Sequence, residues 1–115
     1  MITERMTASG VCLGSLAQIP AGEGRNFVVQ GQRIAVFRTR TGEVFATQAE
    51  CPHRAGPLSD GLLGGSTLVC PLHGWKFDLR TGQALYGDCG LTTLPICLNA
   101  EGEMFVTLAI DRERE

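Results

Sequence analysis

The sequence has no long apolar run near its start. The first ten residues already include Glu4 and Arg5, and nothing there has the length of a signal peptide or a membrane anchor. This argues against the secreted and membrane-anchored classes. We expect a soluble, cytoplasmic protein with no membrane partner.

The chain also has almost no excess of charge of one sign. Ten basic residues are opposed by twelve acidic ones, which gives a net charge of −2, and the basic residues are scattered along the chain. A nucleic-acid partner would require clustered positive charge, so we expect none. The chain also contains no internal repeat and no low-complexity segment.

The sequence also contains no long stretch in which apolar residues recur with the period of a helix between capping residues. Short strand-like runs follow one another with turn signals between them, which is the pattern of an all-β domain. We predict strands at 11–16, 26–30, 33–38, 44–48, 67–69, 76–79, 83–86, 92–98 and 104–110. The chain of 115 residues is long enough for one domain, 1–115, and too short for two.

Only two histidines occur, and each has a cysteine close before it. Cys51 and His53 form a C-x-H pair, and after sixteen intervening residues Cys70 and His73 form a C-x-x-H pair. Side chains at i and i+2 of an extended segment point the same way, and Pro71 within the second pair favours a tight turn. The spacing predicts a metal centre with two thiolates and two imidazoles.

These four residues resemble the signature of the Rieske 2Fe-2S proteins. The resemblance implies one cluster per chain, with Cys51 and Cys70 on one iron and His53 and His73 on the other. It extends to the soluble ferredoxin branch at two short motifs, Gly56-Pro57-Leu58 and Gly74-Trp75. The implied fold is an antiparallel β-sandwich base with a small cluster-binding lobe at about 49–79.

Two other interpretations of the same residues remain open. A structural zinc module also uses two cysteines and two histidines, although its usual spacing is C-x2-4-C and H-x3-5-H. Buried cysteines and hydrogen-bonded histidines without a metal are the second alternative. That alternative leaves unexplained why the only two histidines both fall inside the motif.

Departures from the high-potential members of the family indicate a low potential. Those relatives have a disulfide between the two ligand loops, at positions that are Gly56 and Leu72 here. They also have hydroxyl donors toward sulfur at the positions of Trp75 and Phe77. Because such donors stabilise the reduced state, their replacement predicts a potential at the low end of the family range. Trp75 is predicted to pack under the ligand loop.

The resemblance implies an electron carrier rather than an enzyme. A Rieske oxygenase needs a further iron site built from two histidines and a carboxylate, and no histidine is left to build it. Segments at 19–24, 34–38 and 57–61 resemble the small subunit of assimilatory NAD(P)H nitrite reductase. The alternative is a free Rieske ferredoxin. In either case a reductase is the donor, and a terminal reductase or a ring-hydroxylating oxygenase is the acceptor.

Three cysteines remain after the two predicted ligands: Cys12, Cys89 and Cys97. An odd number in a chain of this kind argues for thiols outside disulfides, usually buried as small apolar groups. Since Cys97 falls within a predicted strand, we expect it to pack in the core.

Overall fold

The computed structural model describes residues 5–7, 10–50, 58–70, 75–86 and 90–107, with the backbone alone at 5–7. These residues form twelve strands and two short 3-10 turns, Leu16–Gln18 and Leu58–Asp60. The strands are β1 Arg5–Thr7, β2 Gly10–Ser15, β3 Glu23–Val29, β4 Gln32–Arg38, β5 Val44–Gln48, β6 Leu62–Gly64, β7 Thr67–Val69, β8 Lys76–Asp78, β9 Ala84–Tyr86, β10 Thr93–Leu94, β11 Ile96–Leu98 and β12 Glu103–Val106.

The strands form three antiparallel sheets of four strands each. The first sheet has the order β1-β2-β12-β11, the second β10-β5-β4-β3, and the third β6-β7-β8-β9. The predicted all-β fold, with a sandwich base and a small lobe, is confirmed. Within these residues no helix is long and apolar enough to cross a membrane.

The second sheet is the middle layer, as strand β4 shows. Four consecutive apolar residues, 34–37, are at most 1% exposed. Because alternate side chains leave a strand on opposite faces, Ile34 and Val36 join one core while Ala35 and Phe37 join another. A strand covered on both faces needs a continuous apolar run, which this one has.

Two cores result, one on each face of the second sheet. We call the core shared with the first sheet the base core: Val11, Ile19, Val29, Ile34, Val36, Ala46, Leu94, Met104 and Val106. We call the core shared with the third sheet the lobe core: Ala35, Phe37, Leu58, Leu68, Cys70, Phe77, Leu79 and Leu91. Each fully buried large apolar side chain contributes about 1.5–3 kcal/mol relative to exposure.

A tight hairpin connects β3 to β4. Val29 pairs with Gln32, which leaves a two-residue turn at Gln30 and Gly31. Both turn residues have positive φ, 53° and 79°. That geometry matches the twist of antiparallel strands and favours glycine at the second position. The hairpin predicted for 26–30 and 33–38 is confirmed, with each strand longer than expected.

The prediction of a single strand at 92–98 is wrong. Thr93–Leu94 pairs with β5 in the second sheet, whereas Ile96–Leu98 pairs with β12 in the first. Pro95 separates the two strands, and since proline has no N–H to donate to a ladder, it interrupts strands at such positions. The chain therefore crosses between two sheets at Pro95.

The core position predicted for Cys97 is also wrong. Cys97 lies in β11, which is an edge strand of the first sheet, and its side chain is exposed. The strand itself was predicted, but alternation places one face of a strand outside. Cys12 is half-buried, and Cys89 lies outside the described residues.

The third sheet makes up most of the lobe. Strand β6 was not predicted, and it pairs with β7 over Leu62–Gly64. Strand β9 pairs with β8 in the same sheet, although it lies beyond the predicted lobe segment 49–79. The first two and the last two strands of the lobe sheet thus form hairpins. The second ligand pair lies in the sequence between the two central strands, β7 and β8.

Candidate metal centre

The structure places one of the four predicted ligands, Cys70. Cys51, His53 and His73 lie in segments 51–57 and 71–74, outside the described residues. We call these the first and the second ligand segment. In the part of the chain that is described, no group of three or more Cys, His, Asp or Glu is placed to bind a metal. The fit to a metal centre therefore depends on Cys70 and on the residues that flank both segments.

Backbone hydrogen bonds close both ligand segments at their ends. The amide of Leu58 donates to the carbonyl oxygen of Ala49 at 3.0 Å, on either side of the first segment. The amide of Cys70 donates to the carbonyl oxygen of Trp75 at 2.7 Å, on either side of the second. Each ligand segment is therefore held at both ends by a backbone hydrogen bond. This limits the positions that its residues can occupy.

Cys70 lies in a buried, apolar environment. It directly follows β7, is 2% exposed and belongs to the lobe core with Leu68 and Phe77. A thiolate in such apolar surroundings is unfavourable without a compensating positive charge. Because a metal supplies that charge and binds the thiolate form, this position fits one of the two cysteines of a Rieske centre.

The β7–β8 hairpin positions Cys70. Leu68 pairs with Phe77 and Val69 with Lys76, so that Cys70 and Trp75 meet where the strands end. Phe77 is fully buried, and its ring centroid lies 6.4 Å from that of Trp75, with the planes tilted by 48°. Trp75 is half-buried against the lobe core, whereas its predicted packing under the ligand loop involves residues 71–74, which lie outside the described residues.

Close packing beneath β7 requires a glycine. A Cβ atom at Gly61 would lie 2.5 Å from the carbonyl oxygen of Val69 and 2.9 Å from Cδ1 of Leu68. Both distances are shorter than real Cβ atoms tolerate, so a larger residue would push the 3-10 turn at Leu58–Asp60 away from the strand that leads to Cys70.

Three residues that flank the first ligand segment were not singled out by sequence reasoning: Arg33, Gln48 and Glu50. Arg33 forms an ion pair with the carboxylate of Glu50, the residue before Cys51. The side-chain amide of Gln48 donates to the backbone carbonyl of Glu50. No sequence signal distinguishes this glutamine, since a side chain that bonds to a backbone group leaves no pattern of residue types.

Lys76 and Arg80, two basic residues of the lobe, are both exposed. Arg80 also connects the lobe to the base, since it pairs with Glu43 at 2.6 Å and stacks over the ring of Phe45 at 5.4 Å. The side chains of Arg54 and Asp60 lie outside the described part of the molecule.

Comparisons with known proteins identify the family of this chain. The family model of the Rieske 2Fe-2S domain matches residues 9–93, which include both ligand segments. The ferredoxin component of the naphthalene 1,2-dioxygenase system of Pseudomonas aeruginosa is 39% identical over 101 residues, which is 86% of this chain and 96% of that protein.

Two solved structures illustrate the similarity of fold. A chain of the complex between reduced oxygenase and oxidized ferredoxin in carbazole 1,9a-dioxygenase has a TM-score of 0.72 and 28% identity, over 84% of this chain and 99% of that chain. A protein of Mycobacterium tuberculosis assigned as the small subunit of an NADH-dependent nitrite reductase has a TM-score of 0.78 over 95% of this chain and 100% of that chain. Its identity of 20% shows the fold alone.

The family match covers most of the chain, and the naphthalene dioxygenase ferredoxin is matched over nearly its whole length. This protein therefore belongs to the Rieske 2Fe-2S family, as a ferredoxin-type electron carrier whose cofactor is a Rieske 2Fe-2S cluster.

Proposed function

We propose that this protein is the Rieske ferredoxin of a multicomponent oxygenase system and passes electrons from a reductase to a terminal oxygenase. The observation that carries this proposal is the 39% identity to a naphthalene dioxygenase ferredoxin component, which is matched over 96% of its length. A match over nearly the whole of a carrier protein favours the same role more strongly than a shared domain within a larger enzyme does.

We further propose the ligand set Cys51, His53, Cys70 and His73. The two cysteines would hold one iron and the two histidines the other, as the resemblance implies. The described ligand, Cys70, supports this assignment through its burial and its position at the end of β7. The cluster, when bound, accepts one electron and releases it again.

The chain's own residues keep water from the cysteine side of the centre. Leu58, Leu68 and Phe77 surround the position of Cys70 in the lobe core, and each is fully buried. The short backbone bond from Cys70 to Trp75 fixes the entry to the second ligand segment. A rigid, dry lobe reduces the reorganisation that accompanies a change of charge, which suits a carrier.

No substrate site of its own is proposed for this protein. Both histidines are used as cluster ligands, so a second iron site with two histidines cannot be assembled from this chain. Chemistry on the substrate then takes place on the acceptor. We also propose a single domain, 1–115, which is supported by the contribution of the second sheet to both cores.

The small subunit of a nitrite reductase is the second candidate. It is favoured by the sequence segments at 19–24, 34–38 and 57–61, and the fold of such a subunit covers 95% of this chain. The two candidates differ in the acceptor and share the cofactor, the fold and the low potential that Trp75 and Phe77 predict. We expect a midpoint near the lower end of the family range, about −150 mV.

Electron delivery to purified acceptors distinguishes the candidates. The loaded protein is reduced chemically without air and mixed either with a naphthalene-type terminal oxygenase and its substrate, or with a sirohaem nitrite reductase large subunit and nitrite. The proposal predicts reoxidation coupled to hydroxylated product in the first mixture and slow reoxidation in the second. Coupled reduction of nitrite, with no hydroxylated product, would assign the protein to the second candidate.

A further inference from the structure

Gln48 is the last residue of β5 and lies three residues before Cys51. Its half-buried side-chain amide makes two hydrogen bonds in opposite directions. Nε2 donates to the carbonyl oxygen of Glu50 at 2.7 Å, and Oε1 accepts from the amide of Thr92 at 2.8 Å. Nε2 faces an acceptor and Oε1 faces a donor, so an amide turned the other way would make neither bond.

The anchor for this side chain is the second sheet. The backbone amide of Gln48 donates to the carbonyl oxygen of Thr92 at 3.0 Å, and β10 begins at the next residue, Thr93. Backbone and side chain of Gln48 therefore bind the same residue, Thr92, which directly precedes β10. This double attachment fixes the side chain relative to the base before it reaches toward the ligand segment.

The bond to Glu50 acts on the peptide unit that contains the amide of Cys51. The carbonyl of Glu50 and the nitrogen and Cα of Cys51 lie in one plane, because the peptide bond does not rotate freely. A donor that fixes the carbonyl oxygen therefore fixes the direction in which the chain enters the first ligand segment. The direction of the Cys51 side chain depends on this plane and on one further backbone torsion.

The neighbouring ion pair contributes less to this positioning. The side chains of Arg33 and Glu50 are 60% and 40% exposed, and exposed pairs stabilise by about 0–1 kcal/mol. The bond from Gln48 to the Glu50 carbonyl is part-buried and therefore competes less with water than the exposed ion pair does. Removing its donor would leave the Glu50 carbonyl without that partner, which costs more than an exposed ion pair.

We propose that Gln48 is a positioning residue for Cys51, which it orients through the backbone carbonyl of Glu50. This inference rests on the assignment of Cys51 as a ligand in the proposed function. Mutation of a residue that holds a metal ligand in place typically costs about 10–100-fold in metal affinity or activity. Gln48 would thereby influence how well the cluster is retained and the electronic environment of its cysteine-bound iron.

Three variants test this role: Gln48→Leu, Gln48→Glu and the control Gln18→Leu. Leucine removes both side-chain bonds, whereas glutamate retains an acceptor for Thr92 and has no donor for Glu50 at neutral pH. Gln18 is a matched control because its Nε2 also donates to a backbone carbonyl, that of Leu13 at 2.9 Å, far from both ligand segments in the sequence.

Each variant is measured with its cluster bound. Hydrogen exchange is followed in the peptide spanning 49–58, together with the rate of iron release to a chelator and the EPR g-values after reduction. We expect both Gln48 variants to show about tenfold faster exchange and iron release, with shifted g-values. Gln18→Leu should match the wild type in all three.

A Gln48→Glu protein that matches the wild type in exchange and g-values would overturn the proposal, because the donor to Glu50 would then be dispensable. The proposal also fails if Gln48→Leu only lowers thermal stability, as Gln18→Leu would. Should Gln48→Leu fail to fold, Gln48→Glu alone decides. Wild-type protein that binds no 2Fe-2S cluster would instead refute the ligand assignment on which this proposal rests.

Discussion

The base core and the lobe core are built on opposite faces of the same sheet, yet they differ in what stabilises them. The base core is apolar throughout and includes residues of β2 and β3, strands of six and seven residues. The four strands of the lobe sheet have only three residues each, and their core includes a cysteine, Cys70. From this difference we expect the base to fold by burial of apolar surface and the lobe to depend on its metal as well.

The largest effect is expected from Cys70→Ser, which removes a proposed ligand from the lobe core. We expect the cluster to be absent and the lobe strands β6–β9 to lose protection from hydrogen exchange, because metal binding and folding of such a site are coupled. Strand β4 should keep its protection, since the base core is intact. Exchange measured by mass spectrometry on peptides from both regions checks this.

The matched control for that variant is Cys97→Ser. Cys97 is exposed at the edge strand β11, so the same change of atom there should leave the iron content and the exchange pattern at wild-type values. If Cys70→Ser retained a full cluster, Cys70 would not be a ligand. If it lost protection equally in β4, the base would depend on the metal and the contrast between the two cores would fail.

We expect Phe77→Ala to lower the free energy of unfolding strongly without removing a ligand. Phe77 is fully buried beside Cys70 in the lobe core, and removal of a buried phenyl ring costs about 3–5 kcal/mol. The free energy of unfolding should fall by this amount in chemical denaturation, and iron release should accelerate. Unchanged iron release would show that packing around Cys70 does not protect the centre.

Ile34→Ala tests the other face of the second sheet. Ile34 is fully buried in the base core, and such a truncation costs about 2–5 kcal/mol. We expect an equal loss of stability with and without cluster, and slower iron release than in Phe77→Ala. Denaturation curves of both forms give the two values. A loss confined to the loaded form would mean that the base core is coupled to the metal.

The smallest effect is expected from Arg80→Ala at the junction of lobe and base. The variant loses the exposed ion pair with Glu43 and the stacking on Phe45, which together contribute about 1 kcal/mol. The loss should shrink at high salt. Arg40→Ala is a control, because the described residues offer Arg40 no ion pair. Equal effects of both substitutions would indicate that Arg80 does not connect the two regions.

Much of the fold could be predicted from the sequence where turn residues bound an apolar run. The strands at 33–38 and 44–48 follow this rule, and both match β4 and β5 closely. The prediction failed at 92–98, where one apolar run serves two sheets. Pro95 marks the break, but a proline in a short run is also compatible with an edge strand. Only the tertiary pairing with β5 and β12 decides between these.

The candidate site could be predicted as a set of ligand types and spacings and no further. Cysteine and histidine at those positions indicate a metal whatever the surrounding packing. Whether a given strand residue faces inward depends on its neighbours in three dimensions, which is why the core position predicted for Cys97 was wrong. The bonds of Gln48 could not be predicted either, because their partners are backbone groups of Glu50 and Thr92.

The central claim is that Cys51, His53, Cys70 and His73 hold a Rieske 2Fe-2S cluster for electron transfer. Its most direct test is to measure iron, zinc and acid-labile sulfide in natively purified protein, with the EPR spectrum after reduction. We predict about two irons and about two labile sulfides per chain, with the rhombic signal of a cluster that has two histidine ligands. Stoichiometric zinc without labile sulfide would contradict the account.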